Sequence, residues 1–187
     1  MPPFQLNALT FAIGGALGLV WVAADGGLAQ LRGVPLRVYL IGSLALFGYH
    51  ALYFSAFRLA QQAGASAETG LIAYLWPLLI VLFSGLLPGE RLRTLHVIGA
   101  LVAFAGAAVI VMAGGQGFRP EAVAAYGLAF LCALTWAGYS VMSRRWGTVP
   151  TASVAVFCLA TAALSLPLHL AFETTLWPDR AAGWLAI

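Results

Sequence analysis

The chain has 187 residues, of which 62% are hydrophobic and only 8% charged, with a formal net charge of +3 and a mean hydropathy of +0.94. A soluble domain carries about a quarter charged residues, so this composition excludes a protein that covers a fully water-facing surface. All nine basic residues are arginine, scattered through short loops with no stripe or basic helix, which removes nucleic acid as a partner despite a pI near 9.2.

In chain order, six apolar stretches cover residues 4–24, 38–59, 69–87, 95–113, 123–143 and 151–172. Each runs for about 19–22 residues, and at ~1.5 Å per residue that length crosses a hydrocarbon layer of about 30 Å. The pattern predicts an all-α integral membrane protein, a multispan helical bundle in the cell (inner) membrane, with the lipid bilayer as a partner. The opening Met1-Pro-Pro-Phe-Gln carries no basic residue, so the first stretch does not read as a cleavable signal peptide. Cys132 and Cys158 fall inside apolar stretches without metal-ligand spacing. They read as packing residues, and no metal or other cofactor is expected.

Loop charge sorts by side. Arg32, Arg37, Arg91, Arg93, Arg144 and Arg145 follow the first, third and fifth stretches, whereas the opposite side holds Arg58, Arg119 and Arg180 among Glu68, Glu121, Glu173 and Asp179. Six arginines against three place the first set in the cytoplasm. The short N-terminal tail then lies outside, and residues 181–187 read as the first turns of a seventh span. The expectation is a fragment of a longer chain, lacking a span before Met1 and further spans after Ile187. Such a protein would be a monomer at full length, or a dimer if the short chain is the working molecule. Arg58 is expected to pair with Glu68 across its loop, or to guide a substrate carboxylate.

Polar and aromatic side chains at membrane depth mark a path for a small-molecule substrate. The second stretch carries Tyr49, His50 and Tyr53; the tyrosines are four apart and share a helix face, with His50 about 100° around. The third carries Tyr74, Trp76 and Pro77, and Pro77 removes a backbone donor and crowds the carbonyl four residues back, which predicts a kink. The fifth carries Trp136, Tyr139, Ser140 and Ser143 along one helical stripe. Together these groups can build an aromatic-walled cavity, since aromatic pairs add about 0.5–1.5 kcal/mol beyond burial. The competing reading is packing or anchoring at the membrane interface, which also suits Tyr39, Tyr126, Trp146, Trp177 and Trp184. His50 is an ionisable group inside a span with no evident partner, open to a substrate or proton role or to burial as a neutral, hydrogen-bonded ring. His96 and His169 lie near stretch ends and read as interfacial.

Small residues form a separate theme. Gly14, Gly15 and Gly18 in the first stretch, and Gly99, Ala103 and Ala107 in the fourth, permit close helix contact and are expected to pack within the bundle. Pro167 in the sixth is a candidate hinge. The first stretch, from Pro3-Phe-Gln-Leu-Asn, echoes the sixth, from Pro150-Thr-Ala-Ser-Val, and small-residue patches follow at the same offset. A repeat of about 147 residues with five spans per copy places the copies in opposite orientation, the inverted-repeat plan of many transporters.

The block Ile72-Ala-Tyr-Leu-Trp-Pro-Leu-Leu, the turn Pro88-Gly-Glu-Arg-Leu and the helix Gly99-Ala-Leu-Val-Ala-Phe-Ala-Gly106 resemble the EamA type of the drug/metabolite transporter superfamily. So does Tyr126-Gly-Leu-Ala-Phe-Leu-Cys-Ala-Leu-Thr-Trp-Ala-Gly-Tyr-Ser, closing in Ser143-Arg-Arg. The Tyr-Leu-Trp-Pro and Trp-Ala-x-Tyr elements are most similar to the aromatic amino acid exporter branch. The resemblance implies a ten-helix, two-bundle exporter with an inverted five-helix repeat, of which this chain matches helices two to seven. On that footing residues 1–113 are the remainder of the first repeat (helices 2–5), 114–122 the inter-repeat loop, and 123–187 the start of the second repeat (helices 6–7 and the start of 8). The resemblance also points to Tyr74, Trp76 and Trp136, then Tyr49, Tyr53 and Tyr139, as lining the substrate path.

The expected function is export of small organic solutes, aromatic or apolar amino acids first, by alternating access. The alternatives are a drug/metabolite or sugar-conjugate exporter of the same superfamily, or a non-transporting truncated remnant. An intramembrane serine protease is disfavoured, because neither Ser43 nor Ser84 sits in a Gly-x-Ser-Gly setting, and no catalytic residue is assigned. No Asp or Glu occupies the middle of a stretch, which favours facilitated export over a carboxylate proton relay.

Overall fold

The computed structural model describes residues 1–113 and 117–178. Eight α-helices follow in order: α1 (Pro3–Ala24), α2 (Leu28–Arg32), α3 (Leu36–Ala63), α4 (Ser66–Ala73), α5 (Trp76–Ser84), α6 (Thr94–Met112), α7 (Val123–Ser143) and α8 (Ser153–Phe172). Short 3₁₀ turns at Pro120–Ala122 and Arg144–Trp146 flank α7, and the described residues contain no strand. Five described segments are long and apolar enough to cross a membrane: Pro3–Ala24, Leu36–Ala63, Ser66–Ser84, Pro120–Trp146 and Ser153–Phe172. The expected all-α, multi-pass membrane fold is therefore present. The apolar α6, with 19 residues, matches Ser66–Ser84 in length.

Sequence chemistry sets the helix ends. Pro2 and Pro3 open α1, where a missing N–H costs nothing and the fixed φ suits the first turn. At its other end Gly26, with φ of 68°, donates its N–H to the Ala23 carbonyl and Gly27 donates to Val22 at 2.8 Å. That double closure needs a left-handed residue, which glycine supplies without a Cβ penalty. Gly64 ends α3 the same way: its φ is 64°, and Ala65 N–H donates to Ala60 at 2.9 Å. Arg119 Nη1 donates to the freed Ala63 carbonyl at 3.1 Å.

The chain forms two compact units. One comprises residues 1–51 and the segment from Trp146 onward; the other comprises residues 52–145. In the first, α1 packs along α8. Asn7 meets Ser165, Gly15 meets Leu159 and Gly18 meets Ala155, so residue numbers rise on one helix as they fall on the other and the pair is antiparallel. A Cβ on Gly15 would lie 2.9 Å from the Leu159 backbone nitrogen, and one on Gly18 would lie 3.1 Å from the Ala155 Cβ. Both glycines thus permit the close approach expected of them, whereas Gly14 has no such neighbour.

In the second unit α7 packs on α4 and α5 through small side chains. Ala125, Ala129, Ala133 and Ala137 recur every fourth residue and are wholly buried, as is Cys132. The stripe expected to pack in α6 behaves differently. Gly99, Ala103 and Ala107 are exposed, and nothing stands within 4 Å of a Cβ placed on Gly99. Small side chains permit contact but do not enforce it, and among the described residues no helix fills that face.

Candidate functional site

The apolar stretch that carries Tyr74, Trp76 and Pro77 is two helices. α4 closes as Tyr74 N–H donates to Gly70 at 2.9 Å and Leu75 N–H donates to Ile72 at 3.1 Å, after which α5 begins at Trp76. Pro77, in the first turn of α5, has no N–H to return to Ala73, so the helical ladder does not run on from α4. The break turns Tyr74 outward, 59% exposed, and leaves Trp76 half-buried beside it.

Tyr53 on α3 packs against the buried cluster of Ala56, Ala73 and Ala129, and its ring lies 4.6 Å from that of Phe57. On α7, Trp136 and Tyr139 are half-buried with ring centroids 5.6 Å apart. This unit therefore holds five of the seven candidate binding residues: Tyr53, Tyr74, Trp76, Trp136 and Tyr139. Each of these rings offers an apolar face with a phenol or indole edge.

Tyr49 and His50 belong to the other unit. His50 does have partners: its Nδ1 donates to the Leu46 carbonyl at 2.9 Å, and its ring sits edge-on between Phe11 at 4.5 Å and Tyr49 at 4.8 Å. A carbonyl four residues back is the acceptor a mid-helix ring can reach without leaving its own helix. Pro167 lies inside α8, which continues unbroken through it.

Two sites were not foreseen. Glu68 was expected to pair with Arg58 at a loop edge. Instead Glu68 is 1% exposed in the first turn of α4, its Oε1 has no hydrogen-bond partner, and neither does Oγ1 of the fully buried Thr69. A carboxylate in a first turn faces the positive end of the helix dipole, which favours this placement.

The second site closes one end of the α1–α8 pair. Glu173 accepts from Phe4 N–H at 3.1 Å and Gln5 N–H at 3.0 Å, two of the orphan donors of α1. His169 Nδ1 donates to Glu173 Oε2 at 2.9 Å, and its Nε2 lies 2.9 Å from the Thr175 hydroxyl. The Gln5 amide both donates to the Leu176 carbonyl and accepts from its N–H, at 2.9 Å each. His169 and Glu173 are 5% and 6% exposed in their side chains, so the pair is buried within the protein. Deeper in, Asn7 Nδ2 donates to Ser165 Oγ at 2.8 Å, and Ser165 donates to the Thr161 carbonyl. Ser153, Phe157, Thr161, Ser165, His169 and Glu173 recur every fourth residue. That period was the available signal, and five polar side chains on it mark a buried ridge. Trp146 is half-buried and Trp177 exposed, while Trp184 lies outside the described residues.

The EamA-like transporter family matches residues 1–112. A protein of Ancylobacter novellus named aromatic amino acid exporter YddG is 55% identical over 190 residues, covering 100% of this chain and 64% of its own length. Proteins of the same name from Salmonella typhimurium and Escherichia coli are 30% and 29% identical, covering 87% and 73% of this chain and 56% and 49% of theirs. A solved crystal structure superposes with a TM-score of 0.85 at 55% identity, covering 100% of this chain and 63% of that one. The chain thus spans less than two thirds of the length of these relatives.

Proposed function

The chain belongs to the EamA-like transporter family, and we propose that it works within a membrane exporter of aromatic and other apolar amino acids. The observation that carries the reading is the relative named aromatic amino acid exporter, 55% identical along the whole of this chain. Membership of a transporter family supports reading the protein as a carrier, and Tyr74, Trp76, Trp136, Tyr139 and Tyr53 are assigned to the wall that meets the substrate ring. Tyr49 and His50 are assigned to the same path on chemistry alone. A ring stacked on such a wall leaves its ammonium and carboxylate to polar groups, so the wall selects for the side chain and tolerates different apolar residues.

Transport by alternating access requires two halves that exchange roles. The proposed repeat boundary, with residues 1–113 in one half, 114–122 as connection and 123–187 in the other, is supported by the antiparallel pairing of α1 with α8, as an inverted repeat requires of equivalent helices. Pro77 and Pro167 are the proposed points of bending.

The test is efflux of labelled tryptophan from liposomes holding this chain, in parallel with a chimera that adds the remaining third of the Ancylobacter novellus relative. Saturable tryptophan efflux by the chimera, competed by phenylalanine and lost in Tyr74→Ala with Trp136→Ala, is expected. A folded chimera that moves a cationic drug or a sugar conjugate but no amino acid overturns the substrate assignment.

A further inference from the structure

We propose that the groove between the ends of α5 and α7 is a binding site for an anionic phospholipid. The groove has a volume of about 260 Å³ and is walled by Phe83, Leu86, Leu87 and Met142, with Gly138 on its floor and Arg145 at its rim. Nothing lies within 4 Å of a Cβ placed on Gly138, so the floor is open. One wall runs from Phe83 at the end of the membrane-length segment Ser66–Ser84 to Leu86 and Leu87 just past it, and the other belongs to the last turns of Pro120–Trp146. That is the depth at which acyl chains give way to headgroups. Leu86 is 75% exposed there, a large cost in water and none against an acyl chain.

Charge selects the occupant. Arg91, Arg93, Arg144 and Arg145 stand at this end with Glu90 as the acid between them, a local excess of three positive charges. Arg144 pairs with Glu90 at 2.7 Å and so neutralises it. Arg145 makes only a 3.5 Å contact from Nη2 to the Leu86 carbonyl, which leaves most of its guanidinium fork for another acceptor. A guanidinium matches a phosphate through paired N–H donors. An apolar slot that ends at such a fork fits a molecule with a fatty tail and a phosphate carrying net negative charge. A zwitterionic headgroup brings a cationic amine into the same field and is disfavoured.

The experiment uses the purified chain in detergent, with phosphatidylglycerol and phosphatidylcholine of identical acyl chains as probes, and reads retained lipid by native mass spectrometry and the melting temperature by circular dichroism. Phosphatidylglycerol is expected to be retained preferentially and to raise the melting temperature. Arg145→Gln is expected to cut that preference about fivefold, the worth of one arginine at an anionic surface. Gly138→Leu fills the floor without changing charge and is expected to abolish retention, with Leu86→Gln as the second variant should the first fail to fold. Arg37→Gln, in another arginine-bearing loop, is expected to change nothing. Equal retention of the two lipids, retention that survives a folded groove-filling variant, or an Arg37→Gln effect equal to that of Arg145→Gln would each overturn the site, the last by showing diffuse surface attraction.

Discussion

Replacing Glu173 by alanine removes the acceptor that joins the start of α1 to the end of α8. Three contacts disappear together, from Phe4 N–H at 3.1 Å, Gln5 N–H at 3.0 Å and His169 Nδ1 at 2.9 Å. Hydrogen bonds to a charged partner are worth about 1.5–3 kcal/mol each, and a donor stranded away from water costs about 1–3 kcal/mol. The three share one carboxylate and do not add in full, so the expected loss is about 3–5 kcal/mol. The carboxylate is 6% exposed, which keeps solvent screening from erasing the effect. Unfolding the wild-type chain and Glu173→Ala in detergent with increasing dodecyl sulfate, followed by circular dichroism, measures the difference. Glu173→Gln should fall between them, since its carbonyl can accept one N–H while its amide meets another donor. Hydrogen exchange at Phe4 and Gln5 should accelerate in both variants. A loss below about 1 kcal/mol, the scale of an ordinary surface pair, would refute the view that this carboxylate ties the two helices together.

Gly15→Leu should cost about 1–3 kcal/mol by overpacking against the Leu159 backbone, whereas Gly14→Leu, with open space around it, should cost little; the same unfolding assay compares them. Tyr74→Ala and Trp136→Ala should each raise KM for tryptophan efflux roughly 2- to 12-fold, the equivalent of one aromatic pair, with smaller changes for leucine. Arg119→Ala should destabilise the chain by about 1 kcal/mol through loss of the cap on Ala63, and exchange of the Gly64 and Ala65 amides should report it.

The membrane-spanning character was legible because lipid leaves a chain few options: residues 123–143 could be read with the same bounds as α7, and 4–24 to within one residue of α1. Close packing at Gly15 and Gly18 was legible for a related reason, since a glycine inside a span has few uses other than admitting a neighbour. The α6 stripe shows the limit of that rule, because a small residue permits a contact that only a partner can supply. Burial of Glu68 was hidden by its position: a carboxylate beside a loop looks solvated until the fold determines which way the first turn faces. The pairing of His169 was hidden because its ring meets a glutamate just beyond its helix, and that glutamate is held by amides 168 and 169 residues earlier. No local window contains such a partnership. The ridge on α8 is nonetheless written in the sequence as polar residues at a period of four.

The ridge has a bearing on the order of assembly during synthesis. α1 leaves the ribosome carrying Gln5 and Asn7, whose partners Ser165, Leu176 and the Glu173 carboxylate are 158 to 171 residues away. While the intervening spans insert, those amides have none of their native acceptors, although α1 already meets α3 through Phe11 and His50. α8 carries its own polar ridge yet remains apolar enough overall to enter lipid. The seam between them therefore closes late, and any quality-control factor that senses exposed intramembrane amides has the whole of that interval in which to bind α1.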